Sequence, residues 1–185
     1  MNIFILDSDP DRAAQYHCNK HVVKMILESG QMLCSAHWVA QLSSRRRSLG
    51  QFRRVKDVQE WLSYTLTPEQ LPPWKISHVN HPCSVWTRES LENYQWHSEL
   101  GLALCAEYTR RYGKRHKSQS VHEWLARNLP PVFPTQGLTP WAQCVPDDCK
   151  GPDTVQSYRD YYNKHKSRFA VWEPKAMTPS WYRGC

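Results

Sequence analysis

The chain has 185 residues, 40% hydrophobic and 22% charged, with a formal charge of +7 and a pI near 9.1. This is the size and balance of one soluble globular domain with a core of its own. No run approaches the roughly eighteen apolar residues of a membrane span, and MNIFILDSDPDR lacks the basic n-region of a signal peptide, so neither membrane insertion nor secretion is expected. The basic charge points to a polyanionic partner, nucleic acid above all. Nine Trp and nine Tyr offer large apolar faces with polar tips, suited to packing and to stacking on bases. Seven cysteines without a secretion signal read as reduced thiols in a cytoplasmic protein.

In chain order, IFIL (3–6) reads as a short buried strand or extended segment ending in the turn-forming DSDPD. Asp9 followed by Pro10 is a helix start, and a helical pattern runs from about residue 10 to about residue 41. Residues 43–75 read as a basic, proline-broken insertion between two long helices, with VKDVQEWLSYTL as a short helix inside it. A second long helix is expected from Asn80 or His81 as cap, with Pro82 in its first turn, to about Tyr112. Gly113 then sits at the C-terminal cap and Arg110 and Arg111 in the last turn. VHEWLARN is a short helix, 129–153 a proline-rich segment wrapping the surface, TVQSYRDYYNKHKSRF a final helix, and TPSWYRGC an aromatic tail.

On a helical wheel of the first long segment, His17, His21, Lys24, Glu28, Gln31 and Ser35 fall within roughly 80° of one another, with apolar residues around the rest. A typical surface helix has the opposite proportions, so this narrow polar stripe reads as a site rather than a solvated face. Glu28 also suits a plain ion pair with Lys24, while two imidazoles four apart suit proton transfer or metal ligation. HVNHPC puts His78, Asn80, His81 and Cys83 ahead of a helix start, where free N–H groups favour an anion, unless Asn80 or His81 is only the cap. Arg88 and Glu89 follow in the first turns.

His17, His21, His78, His81, Cys83, Cys144 and Cys149 are residue types that ligate zinc. They form no two tight pairs at finger spacing, and HCNKH lacks the glutamate of a metalloprotease helix, so no resident metal and no cofactor is expected. Three basic clusters stand out. Arg110, Arg111, Lys114, Arg115, His116 and Lys117 form one, residues 45–47 with Arg53, Arg54 and Lys56 a second, and Lys164 to Arg168 a third. Interleaved with Tyr and Trp, they read as a phosphate-tracking face.

The stretches MNIFILD, HCNKHVVKMILESGQML, HVNHPCSVW, RESLENY and EYTRRYGKRHK together resemble a family of small proteins common in phage genomes, which brings no activity with it. NKHVVKM, NHPCSVW through EYTRRYG, and TPSWYRG also resemble, more distantly, segments of the pyrimidine-dimer DNA glycosylases of the endonuclease V type. That resemblance implies a compact helical fold gripping kinked duplex DNA. It also implies an N-terminal α-amine that attacks the sugar carbon to form a Schiff base, and a glutamate on the first helix that assists strand-cleaving elimination. An α-amine suits the task because its ordinary pKa of about 7.7 to 8.0 leaves much of it unprotonated near neutrality. Here residue 2 is Asn, bulkier than the residues after which an initiator Met is usually removed, and His21 falls at the family's glutamate, with Glu28 the nearest acid on the stripe.

The sequence thus describes a mainly α protein, a compact single-domain helical bundle over 1–185 with long ordered loops and a short N-terminal extended segment. Its expected function is base excision, glycosylase- or lyase-like, on a damaged or modified nucleotide in double-stranded DNA, by a monomer. His21 is the expected general acid or base, Lys24 the nucleophile or phosphate clamp, and His17, Glu28 and Gln31 orient them. Asn80, His81 and nearby aromatics would hold an extruded nucleotide, Lys114, His116 and Lys117 the backbone, with Arg88 and Arg111 also among the nucleic-acid-binding residues. The alternatives are a nucleic-acid-binding module without chemistry and a nucleotide- or metal-dependent hydrolase.

Overall fold

The computed structural model describes residues 1–184. Seven α-helices carry the fold: α1 (Pro10–Tyr16), α2 (Asn19–Ser43), α3 (Val55–Ser63), α4 (Pro82–Thr87), α5 (Leu91–Tyr112), α6 (Gln119–Arg127) and α7 (Thr154–Tyr161), the last prolonged by a π-turn over Tyr162–Lys166. The described residues contain no β-strand, only an isolated bridge between Ser90 and Thr135. Among the described residues no helix is long and apolar enough to cross a membrane. The chain is mainly helical and forms one compact domain, with α1, α2, α4 and α6 all packed against α5 or α2.

The N-terminal segment is extended but pairs with no strand. Ile3, Phe4, Ile5 and Leu6 are almost wholly buried, threaded between α2 and the C-terminal aromatics Tyr158, Tyr162 and Trp172. Asp9 caps α1 as expected, its carboxylate accepting from the Arg12 N–H at 2.8 Å, with Pro10 at the first position.

Both long helices of the sequence pattern are interrupted. His17 and Cys18 leave helical conformation, with ψ of 132° and 160°, and separate α1 from α2. Neither Gly nor Pro causes this break. The groups it frees are taken by distant partners. The Asn19 N–H donates to Val171 O at 2.7 Å, and the Arg111 guanidinium donates to Gln15 O and His17 O at 2.9 Å each. The second break, at Arg88–Ser90, starts α5 afresh: Ser90 Oγ accepts from Asn93 N–H, and Asn93 Nδ2 donates back to Trp86 O at 2.8 Å. Gly113 ends α5 in the left-handed conformation at φ 66°, where a Cβ would be strained, and Arg110 and Arg111 occupy the last turn.

The segment after α2 builds a small core of its own, in which Val58 and Leu62 of α3 meet Trp38 and Leu42 of α2 and Ile76 and Val79 beyond. The proline-rich stretch after α6 holds only a single 3-10 turn at Asp147–Cys149. Six of the seven cysteines are described, all as free thiols; Cys185 lies outside the described residues.

Candidate active site and nucleic-acid interface

The polar stripe divides into two environments. Its first two members are core residues. His17, with no exposed surface, donates Nδ1–H to Ala13 O at 2.7 Å, and burial lowers its pKa to about 4. His21 stacks on Phe4 with ring centroids 4.5 Å apart, and its Nδ1 pairs with the Tyr162 hydroxyl at 2.5 Å. Burial first, then the charges of His17, Lys166, Lys24 and Lys20, lowers its pKa to about 2. Both rings are neutral at physiological pH and are packed among aromatic side chains. The expectation that His21 is the general acid or base, oriented by His17, is therefore corrected: among Phe4, Tyr162 and Phe169 its pKa falls far below the near-neutral value that such a group needs.

The stripe's next two members behave differently. Lys24 is 58% exposed at its side chain and pairs with Glu28 at 3.2 Å. The other oxygen of Glu28 accepts from the Asn2 N–H at 3.1 Å and lies 3.7 Å from the α-amine of Met1. The Met1 side chain packs against the core with only 5% of its surface exposed, so what residue 1 shows to solvent is its main-chain end. Two amines therefore converge on one carboxylate. Gln31 sits a turn further along α2, where its carbonyl accepts from Ser35 Oγ, outside this cluster.

Asn2 is the pivot of the arrangement. Its Nδ2 donates to Cys144 O at 2.8 Å, and its Oδ1 accepts from the Tyr158 hydroxyl at 2.9 Å and lies 3.4 Å from Cys83 Sγ. His81 is the N-cap of α4, its Nδ1 accepting from Cys83 N–H at 3.2 Å. Its pKa is lowered by burial first, then by the positive charge of the chain's N-terminus and by His78. The S–H of Cys83 donates to Cys144 at 3.4 Å, which lowers the Cys144 thiol to about 7 and raises that of Cys83. With six residues, α4 is too short to act as an anion site through its dipole, and His81 already meets one of its free N–H groups.

Beside Lys24 opens a surface groove of 590 Å³ lined by Val23, Lys24, Leu27, Tyr108 and the run Lys114 to Ser118. Val23 and Leu27, 40% and 44% exposed, give it an apolar floor, and Lys114, Arg115 and Lys117 a cationic rim. Arg115 is paired with Glu123, while His116 caps the turn before α6, its Nδ1 accepting from Ser118 N–H. A turn nearer the start of α2 on the same exposed face, Lys20 joins Lys166 and Arg168 around the Phe169 ring, at 4.8, 6.0 and 5.9 Å. Two of the three basic clusters thus flank the exposed edge of α2.

Two residues expected to contact nucleic acid are committed to the fold. The Arg111 side chain has no exposed surface. It donates to Glu107 at 2.6 Å and to Asn19 Oδ1, His17 O and Gln15 O, holding the α1–α2 break closed. Arg88 donates to Val79 O and Ser84 O and fixes the approach to α4. The expectation for Arg111 is corrected, because its donors already have partners inside the protein; Arg88 spends only Nη1 on these bonds and remains half-buried at a surface cavity. Asn80 is exposed next to His81.

The structure thus brings together Lys24, Glu28 and His81, and adds Met1, Asn2, Cys83 and Cys144, which the sequence pattern left out of the site. The stretch NHPC carried a signal for His81 and Cys83. Cys144 lies in a segment without regular structure and stood out only as a residue type that ligates zinc. No protein-family model, no curated protein and no solved structure matches the chain.

Proposed function

We propose that the chain is a DNA-binding enzyme of the base-excision type, acting on a damaged or modified nucleotide through the α-amine of Met1. One observation carries this reading: the α-amine and the Lys24 amine meet on Glu28, at 3.7 and 3.2 Å, at the edge of a cationic groove. Attack by the amine nitrogen on C1′ breaks the glycosidic bond, and the base departs with the bonding electrons and is protonated. The nitrogen gives up a proton to Glu28, which passes it to the ring oxygen as the sugar opens, leaving an iminium and restoring the carboxylate. The Glu28 carboxylate then removes a C2′ proton, expelling the 3′ phosphate, and water releases the amine.

Lys24 holds a phosphate of the bound strand, together with Lys114 and Lys117 across the groove. The extruded nucleotide lies on the Asn80 and His81 side of the amine. His17 and His21 keep the helices in place and take no chemical part. The reading requires a free amine at Met1, which an intact-mass measurement reads directly.

Borohydride reduction in the presence of duplex DNA carrying an abasic site tests it. The wild type becomes cross-linked to the DNA, and Glu28→Gln cross-links while failing to cut the strand. Salt-sensitive binding without any cross-link would leave a nucleic-acid-binding module with no Schiff-base chemistry.

A further inference from the structure

We infer that His81, Cys83 and Cys144 form a binding site for a thiophilic divalent cation, zinc by preference, directly behind Asn2. One ligand atom from each of the three side chains lies within 4.8 Å of the other two, and the two sulfur atoms are 3.4 Å apart. Tetrahedral zinc, with Zn–S of about 2.3 Å and Zn–N of about 2.0 Å, sets its donors about 3.4 to 3.8 Å apart. The sulfurs already stand at nearly that spacing, and the imidazole closes in by at most about 1.3 Å.

The ligands come from two parts of the chain far apart in sequence, and each is held in place. Cys83 is buried in the first turn of α4. Cys144 is held at both main-chain atoms, its N–H donating to the Tyr158 hydroxyl at 3.1 Å and its carbonyl accepting from Asn2 Nδ2 at 2.8 Å. His81 and Cys144 are each partly exposed, so an ion enters from solvent. Two sulfur donors and an imidazole select zinc or a similar soft ion over magnesium or calcium. On loading, both thiol protons pass to solvent, two thiolates and a neutral imidazole bind the ion, and the His81 Nδ1 lone pair exchanges the Cys83 N–H for the metal. Water fills the fourth position.

Such an ion ties the segment around residue 144 to α4 and fixes Asn2, whose N–H orients Glu28. It is therefore a support beneath the amine site, and it stands whether or not that site performs base excision.

The test needs no DNA. The full chain, freshly reduced and freed of metal, is titrated with cobalt(II) alone. One equivalent should bind, giving thiolate-to-cobalt charge transfer and tetrahedral d–d absorption, both abolished by added zinc. Cys144→Ser should lose most of the charge-transfer band. His81→Asn, which keeps a capping side chain, should lose tight binding while the far-ultraviolet spectrum stays unchanged. Cys149→Ser should bind as the wild type does, separating this site from the exposed Asp148, Cys149 and His165 group. An absent charge-transfer band in the wild type, a Cys83–Cys144 disulfide in the reduced protein, or loss of binding in Cys149→Ser instead of Cys144→Ser would overturn the inference.

Discussion

Mild acid should unfold this protein well before its carboxylates titrate. His17, His21, His37 and His97 are buried, and burial is the leading cause that lowers their pKa values, to about 4, 2, 4 and 3 respectively. In the unfolded chain each reverts to about 6.5. Below pH 6.5 the unfolded state therefore binds protons that the native state refuses, so stability is full above that pH and falls as pH drops towards the folded values. At pH 5.5 each histidine lies one unit below its unfolded pKa and contributes a loss of about 1.4 kcal/mol, or about 5 to 6 kcal/mol for the four. That is comparable with the entire stability of many domains, about 5–15 kcal/mol. Urea unfolding followed by the fluorescence of the nine tryptophans reads the effect directly. The midpoint should fall steeply between pH 7.5 and 5.5, and His21→Asn should remove roughly a quarter of that pH-dependent loss. A midpoint unchanged over this range would refute the assignment of these rings as neutral core groups.

Further outcomes follow from the same geometry. Arg111→Met should destabilise the fold by about 3 to 5 kcal/mol, because it leaves Glu107 without its buried partner and frees Gln15 O and His17 O; thermal melting measures it. Lys114→Ala and Lys117→Ala should each lower the slope of log affinity against log salt on duplex DNA by about 1 with no change in melting temperature. Glu28→Gln should slow strand cleavage by about 10² to 10⁴ while a Schiff base still accumulates, as seen by single-turnover gel assay. A short peptide added before Met1 should abolish cleavage and leave the salt-dependent binding of DNA intact.

Much of the helical layout is written locally. Asp9 and Pro10 open α1, Gly113 closes α5, and the repeat of apolar residues places α2 in the interior. The two helix breaks are not local. His17–Cys18 carries no breaker, and it bends because Val171 and Arg111, more than ninety residues away, complete its hydrogen bonds. The same contacts leave His17 wholly buried with its ring still 6.5 Å from that of His21, so the stripe begins inside the core. Glu28 and Lys24 stood out in sequence as polar groups on an apolar helix. The partner that gives Glu28 its chemistry, the amine of Met1, is reached only because Asn2 is anchored to Cys144 and Tyr158, in segments that have no pattern in common with α2. The histidines misled because an imidazole packed among Phe4, Tyr162 and Phe169 has the same sequence signature as one at a catalytic surface.

The most direct test of the central claim is to map the covalent link. The protein trapped by borohydride on abasic duplex DNA is digested, and the modified peptide is sequenced by mass spectrometry. The arrangement around Glu28 predicts that the sugar remnant sits on the α-nitrogen of Met1, and that Lys24→Ala is still modified there. A remnant on Lys24, or on a lysine remote from Glu28, would contradict it.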